Sequence, residues 1–225
     1  LQASIGASAL LMLPQGLAAQ DSLTVESRRP PLGDRKFHSD TVEAYIRSVT
    51  ARIRDKELAA IFANCFPNTL DTAVHFGEFE GKPDTVILTG DIPAMWLRDS
   101  SAQVWPYLPL ANHDEHLRAL LEGVIRRQTR CLLIDPYANA FMMDPDAPPL
   151  KWSRKDQTTM KAGVAERKYE LDSLCHPIRL AYGYWTNTHD RRPFDSAWKS
   201  AMQLVLETMR TEQRKTGSSP YHFGR

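Results

Sequence analysis

The stretch from Thr89 to Leu110, TGDIPAMWLRDSSAQVWPYLPL, constrains this chain more than any other. It places Asp91, Trp96, Arg98, Asp99 and Trp105 within fifteen positions, and prolines prevent one long regular element. Ionic groups beside large aromatics are costly in an ordinary core and uncommon in an ordinary surface loop. The mixture suits a pocket that both stacks on a ligand and hydrogen-bonds it. A structural Arg98–Asp99 salt bridge at a helix start accounts for the same residues equally well on composition alone. Ser100 or Ser101 is the expected cap of that helix, and Asp99 then lies where the helix dipole favours a carboxylate.

Around this stretch the pattern is mainly helical. Val42, Tyr45, Ile46, Val49 and Ile53 form one apolar stripe after a capping-box-like start at Asp40-Thr41-Val42-Glu43. A second helix is predicted over Lys56–Phe66, ended by Pro67, and a short β-hairpin between Asn68 and Gly90. Leu117, Leu120, Leu121, Val124 and Ile125 predict a helix over Asp114–Leu133, and further helices are expected over Tyr169–Trp185 and Asp195–Arg214. Ile134–Lys168 reads as a long irregular region whose aromatics argue for an ordered, functional loop. Five or six amphipathic helices, one hairpin and chemistry on the loops suggest a helical toroid or bundle.

Several function classes are disfavoured. A net charge of +1 gives no global field for nucleic acid or an anionic membrane. The seven histidines show no metal-ligand spacing, so no metal is expected. Nucleotide-phosphate loops and a G-x-S-x-G elbow are absent from the sequence, and no cofactor is expected. Cys65, Cys131 and Cys175 sit among apolar neighbours and read as free buried thiols, with one disulfide and one leftover thiol as the alternative in an exported protein. Residues 1–20 resemble the end of a truncated secretory signal, with Gly16-Leu17-Ala18 as a cleavage-type triplet, compatible with a twin-arginine signal. That predicts export, periplasmic or extracellular, with a linker over residues 21–36 and no membrane span.

Carboxylates beside aromatics are what remains: Asp91, Asp99, Glu170 and Asp172, near Trp96, Trp105 and Tyr169. Carboxylate and guanidinium groups grip sugar hydroxyls in pairs, and an indole covers the C–H face of a pyranose. The run GDIPAMWLRDSSAQVWPYL resembles the signature of glycoside hydrolase family 125, the exo-α-1,6-mannosidases. The resemblance continues at Ala138-Asn139-Ala140-Phe141, at Lys151-Trp152, from Glu166 to Pro177 and at Ser219-Pro220-Tyr221.

That resemblance implies an all-α fold, with residues 37–225 as the N-terminal part of an (α/α)6 barrel bearing a short β-hairpin and long loops. It implies metal-independent, inverting removal of terminal α-1,6-linked mannose from an oligosaccharide or mannoprotein glycan. The substrate-holding residues it implies are Asp91, Trp96, Arg98, Asp99, Asn139, Trp152, Glu170 and Asp172. It also implies a segment after Tyr221 with an Arg-Pro-Ser-Asp-Asp motif associated with the general acid, and a later general base, so no catalytic residue is assigned here. A non-catalytic carbohydrate-binding protein and a polysaccharide lyase on a similar scaffold are the alternatives.

Overall fold

The computed structural model describes residues 25–215 and 217–224, so the signal-like residues 1–20 lie outside the described residues. The described residues form six α-helices: α1 Asp40–Thr50, α2 Lys56–Cys65, α3 Leu97–Val104, α4 Glu115–Ile134, α5 Leu171–Thr188 and α6 Ser196–Glu212. The predicted hairpin is present, as β1 Val74–Phe79 antiparallel to β2 Lys82–Ile87. Chain reversal falls at Glu80 and Gly81, both left-handed.

The expected irregular region holds more structure than its sequence suggests. Strand β4 (Ala140–Met142) pairs antiparallel with both β3 (Ala94–Trp96) and β5 (Val164–Glu166). Three-residue strands leave no periodicity to read, and their ladder is made of contacts distant in sequence. The fold is therefore mostly helical with two small sheets, rather than all-α with one hairpin.

Helix α4 is the centre of the packing. It buries Leu117, Leu120, Leu121, Val124 and Leu132 completely, and β2, α5 and α6 all lie against it. Gly123 makes the β2 contact possible, since a Cβ there would meet the Thr85 side chain at 2.3 Å and its backbone nitrogen at 2.9 Å. Thr85 in turn donates its hydroxyl to the Leu120 carbonyl at 2.8 Å. Alternate helices pack side by side, α3 on α5 and α4 on α6, as in an array of helical hairpins. Six helices are half of the twelve that an (α/α)6 barrel takes, so closure is not a property of these residues.

The starts of α1, α2, α4 and α6 are set by side-chain caps. Ser39, rather than Asp40, caps α1 by accepting the Val42 N–H at 3.2 Å, and Glu43 is engaged elsewhere. Arg29 donates to both Glu43 and the buried Asp71, which pins the segment preceding α1 to the turn before β1. Asp114 caps α4 and also accepts the Ser39 hydroxyl, so the first turns of α1 and α4 are coupled.

One face of α5 is apolar yet uncovered. Leu171, Cys175, Ile178, Tyr182 and Trp185 recur at helical spacing, with Tyr182 65% exposed. The opposite face buries Leu174, Leu180 and Tyr184. Cys175 and Cys65 are thus exposed, against the expectation from their apolar neighbours, and only Cys131 is buried. Among the described residues, no helix is long and apolar enough to cross a membrane.

Candidate functional site

Strand β3 runs directly into α3, and this junction creates the site. Trp96 is the extended residue preceding the helix and has no side-chain cap to offer. The Leu97 N–H is satisfied instead by the Asn139 carbonyl at 3.1 Å. Ser100 and Ser101, expected as caps, are buried inside the helix. Both hydroxyls donate to the Leu97 carbonyl and accept from Gln128 Nε2 of α4, at 2.9 and 2.8 Å. The cap position therefore falls at Trp96, four or five residues before the serines, and Arg98 and Asp99 fall in the first turn of the helix.

Helix α5 starts against α3, with Glu170 at its N-cap and Asp172 in its first turn. Two helix N-termini converge, and four predicted residues meet there. Arg98 Nη1 lies 3.1 Å from Asp172 Oδ2 and 3.4 Å from Glu170 Oε2, while Nη2 lies 3.3 Å from Asp99 Oδ2. One guanidinium thus faces three carboxylates, a formal charge of −2, offset by two positive helix ends. The hydrogen bond to Asp172, opposed by partial burial and reinforced by the charges of Asp99 and Glu170, raises the Arg98 pKa above its ordinary value.

These contacts are loose. None is a bidentate fork, the Arg98 side chain is 40% exposed, and Asp99 Oδ2 makes no hydrogen bond among the described residues. The exposed parts of Arg98, Glu170 and Asp172 are available to hydroxyl groups, whereas Asp99 Oδ2 is itself buried. Glu170 and Asp172 oxygens on a single nitrogen can be no further apart than their two distances combined. That places them at or below the roughly 6.5 Å lower limit for an inverting acid–base pair.

The remaining predicted residues are placed differently. Trp96 is half-buried beside Ala94, Ala140 and Leu150, two residues before Arg98. Asp91 is exposed at the Thr89–Ile92 turn, and Trp152 is 47% exposed in the turn before Ser153. Neither is bonded to the Arg98 group among the described residues. Asn139 is fully buried: its Nδ2 donates to Glu166 at 2.8 Å and its Oδ1 accepts the Lys168 N–H at 3.2 Å. As placed, it supports the segment leading to Glu170 from inside the protein.

Sequence reasoning placed Glu166, Arg167, His176 and Tyr221 within the resembling motifs but gave none of them a role. Arg167 is buried on Asp135 at 2.7 Å beneath the Tyr137 and Tyr221 rings. His176, one helical turn after Asp172, has a buried Nδ1 without a partner among the described residues. Its place in the Glu166–Pro177 motif and its i, i+4 relation to Asp172 are the signals that could have found it. The groove of about 530 Å³ beside Tyr182, Trp185 and Trp198 lies away from Arg98 and carries no carboxylate. Among the described residues, no group of three or more His, Cys, Asp or Glu side chains is arranged to hold a metal ion.

Comparison with known proteins identifies the family. The family model described as metal-independent α-mannosidase (GH125) matches residues 55–225. The meiotically up-regulated gene 157 protein of Schizosaccharomyces pombe is 39% identical over 198 residues, covering 85% of this chain and 39% of that protein. A solved Streptococcus pneumoniae metal-independent α-mannosidase, in a non-productive substrate complex with α-1,6-mannobiose, is also 39% identical, with a TM-score of 0.76. That likeness covers 84% of this chain and 43% of the other. The chain spans about two fifths of the length of the relatives it matches. With three quarters of its residues inside the family model and these motifs in register, the chain belongs to glycoside hydrolase family 125.

Proposed function

We propose that this polypeptide is part of an exo-acting α-1,6-mannosidase that removes terminal mannose from oligosaccharides or mannoprotein glycans with inversion and without a metal. The observation that carries this reading is the half-open group of Arg98, Asp99, Glu170 and Asp172 at two converging helix ends. Carboxylate oxygens accept from sugar hydroxyls while the guanidinium donates to them, so adjacent hydroxyls of one pyranose can be held as a pair. Trp96, two residues before Arg98 and part-exposed, supplies an aromatic surface for the apolar face of the ring. The α-1,6-mannobiose bound by the Streptococcus pneumoniae relative supports this substrate class.

The role assigned to the group is holding the sugar, because Glu170 and Asp172 share one nitrogen and are too close for a water to work between them. The same group, which holds a sugar whether or not a bond is then broken, supports a second reading, a carbohydrate binder without catalysis. Incubating the protein and its full-length form with α-1,6-mannobiose and EDTA separates the two. The proposal expects the full-length form to release mannose as the β anomer first; sugar binding without cleavage by both forms would establish the binder. Export is proposed on residues 1–20 alone, and fractionation of host cells tests it.

A further inference from the structure

The segment preceding Glu170 is held by side chains from distant parts of the chain. Two consecutive backbone N–H groups, on Lys168 and Tyr169, find no partner in a strand or helix. Lys168 donates to Asn139 Oδ1, and Tyr169 donates to the Tyr221 hydroxyl at 2.9 Å. Tyr221 belongs to the segment after α6, and that segment is itself fastened. Its ring stacks on Tyr137 with centroids 5.2 Å apart and planes 5° apart. Ser219 donates to Glu212 at the end of α6, and Gly224 exchanges two backbone hydrogen bonds with Gln157.

We propose that Tyr221 is a positioning residue for sugar binding: its hydroxyl latches Tyr169 and so sets Glu170 and Asp172 opposite Arg98. The inference rests on the proposed role of that group. The geometry is specific, because Glu170 is the residue next to the latched amide, and its Oε2 reaches Arg98 Nη1 only at 3.4 Å. A contact that long is lost by a small displacement of the helix start. A misplacement of about 1 Å at a binding group is enough to cost up to about a hundredfold in turnover efficiency.

The test compares Tyr221→Phe with Tyr137→Phe in the full-length enzyme. Tyr221→Phe keeps the stacked ring and removes only the acceptor of the Tyr169 N–H. Tyr137→Phe removes a hydroxyl of the same aromatic cluster, the one donated to Glu212 at 3.0 Å, without touching the start of α5. For α-1,6-mannobiose we expect KM to rise about tenfold in Tyr221→Phe with kcat within about twofold, and Tyr137→Phe to match the parent in both. Hydrogen exchange on the parent protein gives a readout independent of any variant, in which the Tyr169 amide exchanges as slowly as the amides of β4.

An unchanged KM in Tyr221→Phe, an equal rise in both variants, or a freely exchanging Tyr169 amide would overturn the latch. If the parent neither cleaves nor binds the sugar, the functional reading falls instead, and the exchange measurement still decides the latch.

Discussion

Replacing Arg98 by Lys separates a structural salt bridge from a sugar grip. Arg98 makes three ionic contacts of 3.1–3.4 Å, on side chains 28–45% exposed. In water each is worth about 1 kcal/mol of Coulomb energy, and solvent screening and side-chain ordering reduce exposed pairs to about 0.2–1 kcal/mol. Lysine keeps the charge and one of the contacts, so the stability loss should stay below about 1 kcal/mol, or roughly 4 °C in a domain of this size. Binding should respond much more. A single ammonium cannot span Asp99 on one side and Glu170 with Asp172 on the other, so the planar two-sided donor is lost. Losing one charge-assisted hydrogen bond to a sugar hydroxyl costs about 1.5–3 kcal/mol, or roughly ten- to a hundredfold in kcat/KM. Thermal melts and mannobiose kinetics on the full-length enzyme supply both numbers. A melting point lowered by 8 °C or more with unchanged kcat/KM would refute the reasoning and restore the salt-bridge reading.

Three further outcomes test the fold. Gly123→Ala should destabilise the protein by at least about 2 kcal/mol in urea unfolding, because the new Cβ meets Thr85 backbone that cannot retreat from a fully buried position; a loss below about 0.5 kcal/mol would mean that β2 is not seated on α4. Burial alone would raise the Asp190 pKa, but hydrogen bonds from Arg192 and the Tyr184 hydroxyl outweigh it and bring the carboxyl down to about 2 from 3.8. A depressed folded-state pKa means stability that is fully present above 3.8 and lost as pH falls towards 2, so the melting-point gap between parent and Asp190→Asn should narrow across that window; a constant gap would contradict it. Alkylation followed by mass spectrometry should modify Cys65 and Cys175 quickly and Cys131 only on unfolding, since burial pushes the Cys131 thiol up to about 12.

Long-range periodicity was the legible part of this chain. The helix over 115–134 lies within a residue of its predicted limits because a single apolar face runs through five turns and a capping aspartate precedes it. The hairpin was also legible, as two short runs around Gly81. Strands β3, β4 and β5 were not, because each is three residues long and is held by partners as distant as Ala94 and Met142. The serines after Asp99 misled for a related reason. Ser100 and Ser101 have good capping chemistry, yet the Asn139 carbonyl already satisfies the start of α3, and Gln128 draws both hydroxyls into the interior.

The site was half legible. Arg98, Asp99, Glu170 and Asp172 were singled out by residue type and resemblance, and the packing of α3 on α5 brings them within 3.4 Å of one guanidinium. Asn139 was singled out by the same logic but faces inward, because the β3–β4–β5 ladder that buries it could not be read from its sequence. Tyr221 lay in the Ser219-Pro220-Tyr221 motif but was given no role, because its partner is a backbone amide, which leaves no trace in side-chain composition.

The most direct measurement of the central claim is a crystal structure of the full-length protein soaked with mannose. The account predicts one pyranose with adjacent hydroxyls within about 3.2 Å of Arg98 and of at least one of Asp99, Glu170 and Asp172, and with Trp96 near its apolar face. Mannose ordered elsewhere, with the three carboxylates still gathered on Arg98 as they are here, would contradict it.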